Sequence, residues 1–317
     1  MSINRRISIA PMMDWTDRHC RYFHRLISPH AFLYTEMIHA NAITRGDTDK
    51  HLAFSEFEKP VALQLGGIDP KALADASKHG EDFGYAEINL NCGCPSDRVQ
   101  HGEFGACLMA EPVRVAAAIA EMQNAVKIPV TVKTRLGIDE QESYEFLYEF
   151  VDTVHRQGGC DMFILHARKA WLKGLSPKEN REKPPLDWNK PQHIKRDFPQ
   201  LEIITNGGFE TVEDIKSQFG PVDGVMIGRK AYHEPYFLAE LEEEIFNNHQ
   251  TPPRQVVVEK MIAYMEEQKA QGTYLRYITK HMPGLFHAQP VSKAWKHALM
   301  DAAKSDTTQP LQVFATV

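Results

Sequence analysis

The chain has no apolar run approaching the about 18–20 residues that a membrane-spanning helix needs. Its first residues, Met-Ser-Ile-Asn-Arg-Arg, carry no apolar signal core and lead straight into Ile7-Ser8-Ile9-Ala10. Cysteine is scarce, with five in 317 residues. An odd number argues for free thiols in a reducing compartment, so the cytoplasm is the expected location. Paired Cys-x-x-Cys spacing is absent. Cys92 and Cys94 are separated by one residue and no second pair accompanies them, so no metal is expected. Glycine is missing after the first strand-like run, where Pro11-Met12-Met13-Asp14 stands. A doubly wound sheet would carry its glycine-rich dinucleotide fingerprint there. Positive charge is not in excess either. The net charge of −6 weighs against a nucleic-acid partner if the chain is taken as a whole.

The distribution of charge points the other way. Residues 168–196 carry nine lysines and arginines against three acids, and residues 252–317 carry eight against five. An acidic body with two basic regions fits an anionic polymer docked on one face, or a pair of ordinary solvated faces.

Eight strand-like runs are legible, at residues 7–10, 33–38, 61–65, 85–91, 130–134, 161–165, 202–205 and 222–227. Helical patterns lie between most of them. Pro70 follows the capping residue Asp69, residues 113–126 are alanine-rich, residues 143–157 close on Gly158-Gly159, and Thr211 to Asp214 approaches a capping box. This rhythm predicts a (β/α)8 TIM barrel over residues 1–250. Beyond the Thr251-Pro252-Pro253-Arg254 linker the strand signal stops. Residues 251–317 read as a small C-terminal all-helical domain, too small to be comfortable alone and so docked on the barrel.

A barrel of this kind places its active site at the C-terminal ends of its strands. Those ends carry Pro11, Met12, Met13, Gln64, Asn91, Cys94, Lys133, His166, Asn206, Gly207, Gly208, Gly228 and Arg229. Amide, thiol, ammonium, imidazole and guanidinium groups converging there suggest a cofactor site. The seventh and eighth ends, Asn206-Gly207-Gly208 and Gly228-Arg229, suit a phosphate. Lys133 suits the negative charge of a reduced flavin, or a salt bridge to Glu36 or Glu87. Gln64 can donate and accept, which suits the flavin pyrimidine edge. Cys94 sits between Gly93 and Pro95 on a constrained turn, either as a reactive thiol or as a small buried hydrophobe.

The order of Ala10-Pro11-Met12-Met13-Asp14-Trp15-Thr16-Asp17, Gln64-Leu65-Gly66-Gly67, Glu87-Ile88-Asn89-Leu90-Asn91, Gly93-Cys94-Pro95-Ser96, Val132-Lys133-Thr134-Arg135, His166-Ala167-Arg168-Lys169, Asn206-Gly207-Gly208 and Asp223 to Arg229 resembles the tRNA-dihydrouridine synthases. Residues 175–181, Leu-Ser-Pro-Lys-Glu-Asn-Arg, are similar to the A-type subfamily, which acts at D-loop positions 20 and 20a. The resemblance implies that FMN is held by Pro11, Met12, Met13, Gln64, Lys133, His166, Asn206, Gly207, Gly208, Gly228 and Arg229. It implies that NADPH reduces the FMN, that hydride passes from flavin N5 to uracil C6, and that Cys94 protonates C5. The base would leave its stack to be reached. Asn91 would orient the uracil, while Lys178, Arg181, Arg276 and Lys280 would meet tRNA phosphates. No obligate protein partner is evident. Cys92 departs from the small apolar residue expected there, and strand alternation turns it away from Asn91. Two other readings share some of these features: a flavin barrel acting on a free pyrimidine, and a non-catalytic RNA chaperone.

Overall fold

The computed structural model describes residues 3–96, 99 and 102–315. Asp97 and Arg98, at the end of the cysteine motif, lie outside the described residues. The eight strand-like runs form a closed barrel of parallel strands in chain order, with β8 returning to β1. The strands are β1 Ile7–Ile9, β2 Phe32–His39, β3 Val61–Gly66, β4 Glu87–Cys92, β5 Val130–Arg135, β6 Met162–His166, β7 Glu202–Asn206 and β8 Gly224–Ile227. The TIM-barrel expectation is borne out.

Helices fill the intervals. They are α1 Arg18–Ile27, α2 Ala40–Arg45, α3 Thr48–Leu52, α4 Pro70–Asp82, α5 Pro112–Ala125, α6 Tyr144–Gly158, α7 Asn189–Asp197, α8 Val212–Lys216, α9 Arg229–His233 and α10 Phe237–Phe246. Their ends follow local chemistry. Asp69 accepts from the N–H of Lys71 at 3.0 Å ahead of Pro70, Thr211 and Asp214 form a reciprocal capping box, and Gly159 closes α6 at φ 76°.

Alternation along each strand sorts the core into two shells. Phe32, Tyr34, Ala62, Met162, Ile164, Ile204 and Met226 pack together in one buried cluster inside the barrel. Leu33, Leu63, Ile88, Leu90, Cys92, Val132, Phe163, Leu165, Ile203 and Val225 belong to the outer cluster under the helices. Cys92 therefore faces away from the barrel axis, as the alternation predicts.

The C-terminal helices α11 Arg254–Ala270, α12 Arg276–Thr279 and α13 Ser292–Ser305 share the outer cluster. Trp295 is fully buried, donates to the Met282 carbonyl at 2.9 Å and packs edge-on against Phe286 and Phe314. The contact with the barrel runs through α1 and the loop before it. Tyr264 stacks on Tyr22 at 3.8 Å between ring centroids and shares a hydrogen bond with His19 Nδ1 at 2.7 Å. Asp17 caps α1 by accepting from His19 and Cys20, and it pairs with His281 and Lys280 at 3.0 Å each. Burial works to raise the Asp17 carboxyl, but His281, the Cys20 N–H and Lys280 together hold it well below the usual carboxylate range. Trp15 stacks on Tyr232 at 4.2 Å.

Candidate active site

The strand ends bring together the predicted residues of the mouth. Gln64, two residues before the end of β3, is fully buried, and its amide is used on both sides. Its Nε2 donates to Asn89 Oδ1 at 2.8 Å and its Oε1 accepts from Asn91 Nδ2 at 2.9 Å. Asn91 Oδ1 accepts the N–H groups of Gly93 and Cys94 at 3.1 and 3.0 Å. Asn91 is thus first a clamp on the cysteine turn. The turn is closed from the other side, where the Cys94 carbonyl accepts from Ala106 N–H at 2.9 Å and the Gly93 carbonyl from Arg135 Nε at 3.1 Å. Cys94 is half-buried, with its thiol 3.5 Å from Ser96 Oγ. Cys92, two residues earlier, is fully buried, and burial pushes its thiol far up. The two thiols have opposite environments.

Lys133 faces the mouth from β5. The salt bridge to Glu36 or Glu87 does not form. Glu87 binds Arg5, Tyr34 and Thr131, and Glu36 accepts the Asp14 N–H. Among the described residues Lys133 has no ion-pair partner. Burial, and secondarily Arg135, pull its ammonium down to about 7. His166 ends β6 with its Nδ1 buried and without a hydrogen-bond partner among the described residues. Burial, then Arg135, Lys133, Arg168 and Arg181, keep its ring neutral. Arg135 is buried and spans two loops, bonding the carbonyls of Gly93, Lys169 and Asn180. Burial brings it down to about 10. The sequence reading gave Arg135 no role; its signal was a cation at a strand end beside Lys133.

At the seventh and eighth ends, Gly207 and Gly208 adopt φ of 101° and 84°, a region glycine alone enters cheaply. A Cβ at Gly207 would lie 2.7 Å from His166 Nε2. Asn206 Nδ2 donates to the Met226 carbonyl at 2.7 Å. Gly228 precedes the five-residue helix α9, too short to add much dipole. Arg229 is not free: it pairs with Glu182 at 2.8 Å and donates to the Arg181 carbonyl at 3.3 Å. Pro11 and Met12 are partly buried in the loop after β1, with Met12 against the inner cluster, while Met13 is 53% exposed.

The proposed tRNA residues separate. Lys178 is exposed on the β6–β7 loop. Arg181 instead leans into the mouth, with its Nε buried and unpartnered among the described residues, and it feels the Cys94 thiol. A cleft of about 550 Å³ opens beside it, lined by Lys169, Trp171, Lys173 and Lys183 with Glu142. Arg276 is held against the exposed rings of Tyr274 and Tyr277, 4.8 and 5.0 Å from their centroids. Lys280 is engaged with Asp17 and the Asp14 carbonyl, and so serves the contact between barrel and C-terminal helices.

A rigid parallel sheet carrying its chemistry on the loops at one end is the layout of a β/α-barrel enzyme. Residues 8–316 match the family described as dihydrouridine synthase (Dus), and the chain belongs to that family. It is 55% identical over 300 residues to the tRNA-dihydrouridine(20/20a) synthase of Vibrio cholerae, covering 94% of this chain and 91% of that one. The Escherichia coli K12 protein of the same name is 56% identical over 299 residues, covering 94% and 86%. These relatives bear out the A-type likeness read from residues 175–181. A solved 2-naphthoyl-CoA reductase superposes with a TM-score of 0.56 at 11% identity. The match covers 81% of this chain but only 52% of that one, and shows the fold alone.

Proposed function

We propose that this dihydrouridine synthase reduces the C5–C6 bond of uridine at D-loop positions 20 and 20a of tRNA, with FMN as its cofactor and NADPH as the source of electrons. The observation that carries the reading is the pinned Cys94 turn facing a mouth of cations. Cys94 lies on a turn held from both sides, and Lys133, Arg135 and Arg181 surround its approach.

The residues fit FMN. Among the described residues the His166 Nδ1 and the Lys133 ammonium lack partners, and Gly207 and Gly208 present backbone without a side chain; an anionic, hydrogen-bonding ring system with a phosphate would satisfy them. Gln64, Lys133, His166, Asn206, Gly207, Gly208, Gly228 and Arg229 would hold it, with Pro11, Met12 and Met13 at its rim. Bound FMN supplies the hydride that goes to uracil C6.

The remaining chemistry belongs to the chain. Lys133 carries positive charge where negative charge accumulates, and an anion beside it restores its proton at neutral pH. Cys94 gives its proton to uracil C5 and takes another from solvent. Arg181 steadies the flipped nucleotide's phosphate, and Arg135, buried behind it, holds the loops that shape the mouth. Lys178, the lysines of the adjoining cleft and the Tyr274–Arg276–Tyr277 surface offer phosphate and stacking contacts along the tRNA, so residues 251–317 act as a tRNA-binding domain. The location that goes with a tRNA substrate is the cytoplasm. No helix among the described residues is long and apolar enough to cross a membrane.

Incubation with unmodified tRNA, FMN and NADPH, followed by mass-spectrometric mapping of +2 Da nucleotides, tests the reading. Gain at positions 20 and 20a supports it; conversion of free uracil or orotate with none on tRNA would replace it with the free-pyrimidine alternative.

A further inference from the structure

The barrel interior holds a hydrogen-bond chain that runs from its floor to the Cys94 turn. At the floor, Arg5 Nε and Nη2 lie 2.7 Å from Glu87 Oε2, and Arg5 also pairs with Glu202 at 2.9 Å. Glu87 Oε1 accepts from the Tyr34 hydroxyl at 2.8 Å and from Thr131 Oγ1 at 2.7 Å. Asn89 Nδ2 donates to Thr131 Oγ1 at 2.8 Å, and Gln64 Nε2 donates to Asn89 Oδ1 at 2.8 Å. Asn91 Nδ2 donates to Gln64 Oε1 at 2.9 Å, and Asn91 Oδ1 accepts from the Gly93 and Cys94 N–H groups. Apart from the partly exposed Glu202, every side chain in this network is buried.

Its direction is dictated from both ends. A carboxylate paired with an arginine offers only lone pairs, so Thr131 donates to Glu87 and is left to accept. Asn89 must then turn its NH2 toward Thr131 and its oxygen toward Gln64. Gln64 in turn points its NH2 at Asn89 and its oxygen at Asn91. At the far end peptide N–H groups can only donate, so Asn91 must present oxygen to the turn and its NH2 to Gln64. The two ends demand the same polarity. Flipping any one amide would set donor against donor and acceptor against acceptor in a dry interior, where such mismatches are costly.

We infer that Glu87, Thr131 and Asn89 are positioning residues for the reaction: they set the orientation of the Gln64 and Asn91 amides and, through Asn91, the turn that aims Cys94. None of the three reaches the mouth. They act through a chain of three amides whose last member holds the reactive turn. The inference rests on the proposed role of Cys94 as the proton donor, and it makes Arg5, on the opposite end of the barrel, the counter-charge that keeps Glu87 a pure acceptor.

Thr131→Val removes the hydroxyl at nearly constant shape, and Thr131→Ser keeps it. Asn89→Asp is near-isosteric and cannot donate to Thr131, so it conflicts with the same link without opening a cavity. The full-length holoenzyme is compared by two readouts: kcat and KM for unmodified tRNA, and the rate of iodoacetamide alkylation at Cys94 followed on its own peptide. Thr131→Val and Asn89→Asp should lower kcat about 10- to 100-fold with little change in KM, the scale expected of a small misplacement of a reacting group. Both should change the Cys94 alkylation rate severalfold, and Thr131→Ser should restore both readouts. Combining either with Asn91→Ala should cost little beyond Asn91→Ala alone, because the two act through one path. Wild-type kcat and alkylation in either folded variant would overturn the inference, as would a Thr131→Ser enzyme that fails like Thr131→Val. Should the wild-type enzyme reduce no tRNA, the functional reading fails, and the alkylation rates still decide the positioning role on their own.

Discussion

Replacing Lys133 with methionine should stabilise the flavin-free protein, and by an amount that depends on pH in a defined way. In the folded chain the Lys133 ammonium has been pulled from the usual 10.5 down to about 7, first by burial and second by Arg135. In the unfolded chain it holds its proton up to about 10.5. At pH 7 and below, folding must therefore either bury the charge or strip the proton. A displacement of that size corresponds to roughly 5 kcal/mol as an upper bound. The residue is partly exposed to solvent, and screening there reduces the figure to about 2–3 kcal/mol. Between pH 7 and 10.5 the unfolded state binds more protons than the folded one, so wild-type stability gains from Lys133 as pH rises through that window. Lys133→Met lacks this dependence. Urea unfolding of the two flavin-free proteins should show the mutant ahead by its full margin near pH 7, with the margin closing toward pH 10.5. Adding FMN should narrow the margin at pH 7, because an anion beside the ammonium restores its proton. A margin that does not vary with pH, or a mutant less stable than wild type at pH 7, would refute the reasoning.

Cys94→Ala should keep FMN and tRNA binding and lose uridine reduction in the mass-spectrometric assay, and full activity would remove Cys94 from the proton-donor role. Lys178→Ala should flatten the salt dependence of tRNA binding by about one counterion in a filter-binding titration, whereas Arg181→Ala, in the mouth, should act mainly on kcat; equal salt slopes for wild type and Lys178→Ala would move the footprint elsewhere. Trp295→Ala should cost roughly 3–5 kcal/mol of stability in chemical denaturation, since the ring is fully buried and bonded to Met282; a loss below about 1 kcal/mol would show that the C-terminal helices do not depend on that core. Iodoacetamide labelling at neutral pH should modify Cys94 and spare Cys92, whose thiol is buried in the outer shell; equal labelling would contradict the strand register.

Strands were the most legible part of the sequence because each of the eight is a short apolar run ending in a polar or glycine-bearing turn. The helices α1, α2, α3, α7 and α9 were not read. In α1, buried His19, Arg21, His24 and Arg25 replace the apolar stripe, and their cost is met by long-range partners such as Glu58 and Tyr264, which no local pattern discloses. In the C-terminal helical region α12 is only Arg276–Thr279, cut short because Pro283-Gly284 follows closely. In the site, residue types at strand ends identified the mouth, but not the partners. Glu87 was weighed as a neighbour of Lys133, although the inward parity of 87, 89 and 91 sends it toward Arg5 at the other end of the barrel. Lys280 looked like a phosphate ligand because it lies in a basic segment; its engagement by Asp17 spans 263 residues of chain and leaves no trace in composition.

That engagement bears on the order in which the enzyme is made. The loop after β1 carries Pro11, Met12 and Met13 at the rim of the mouth, and then Asp14, Trp15 and Asp17, which are gripped by Tyr232, Lys280 and His281. Synthesis runs from the N-terminus, so the first strand of the barrel emerges long before the residues that secure its loop. A nascent chain that has completed all eight strands, the last ending at Ile227, still lacks all three grips on that rim. The rim is fully gripped only once Lys280 and His281 have emerged, which keeps a chain that holds the barrel strands alone from presenting a finished site.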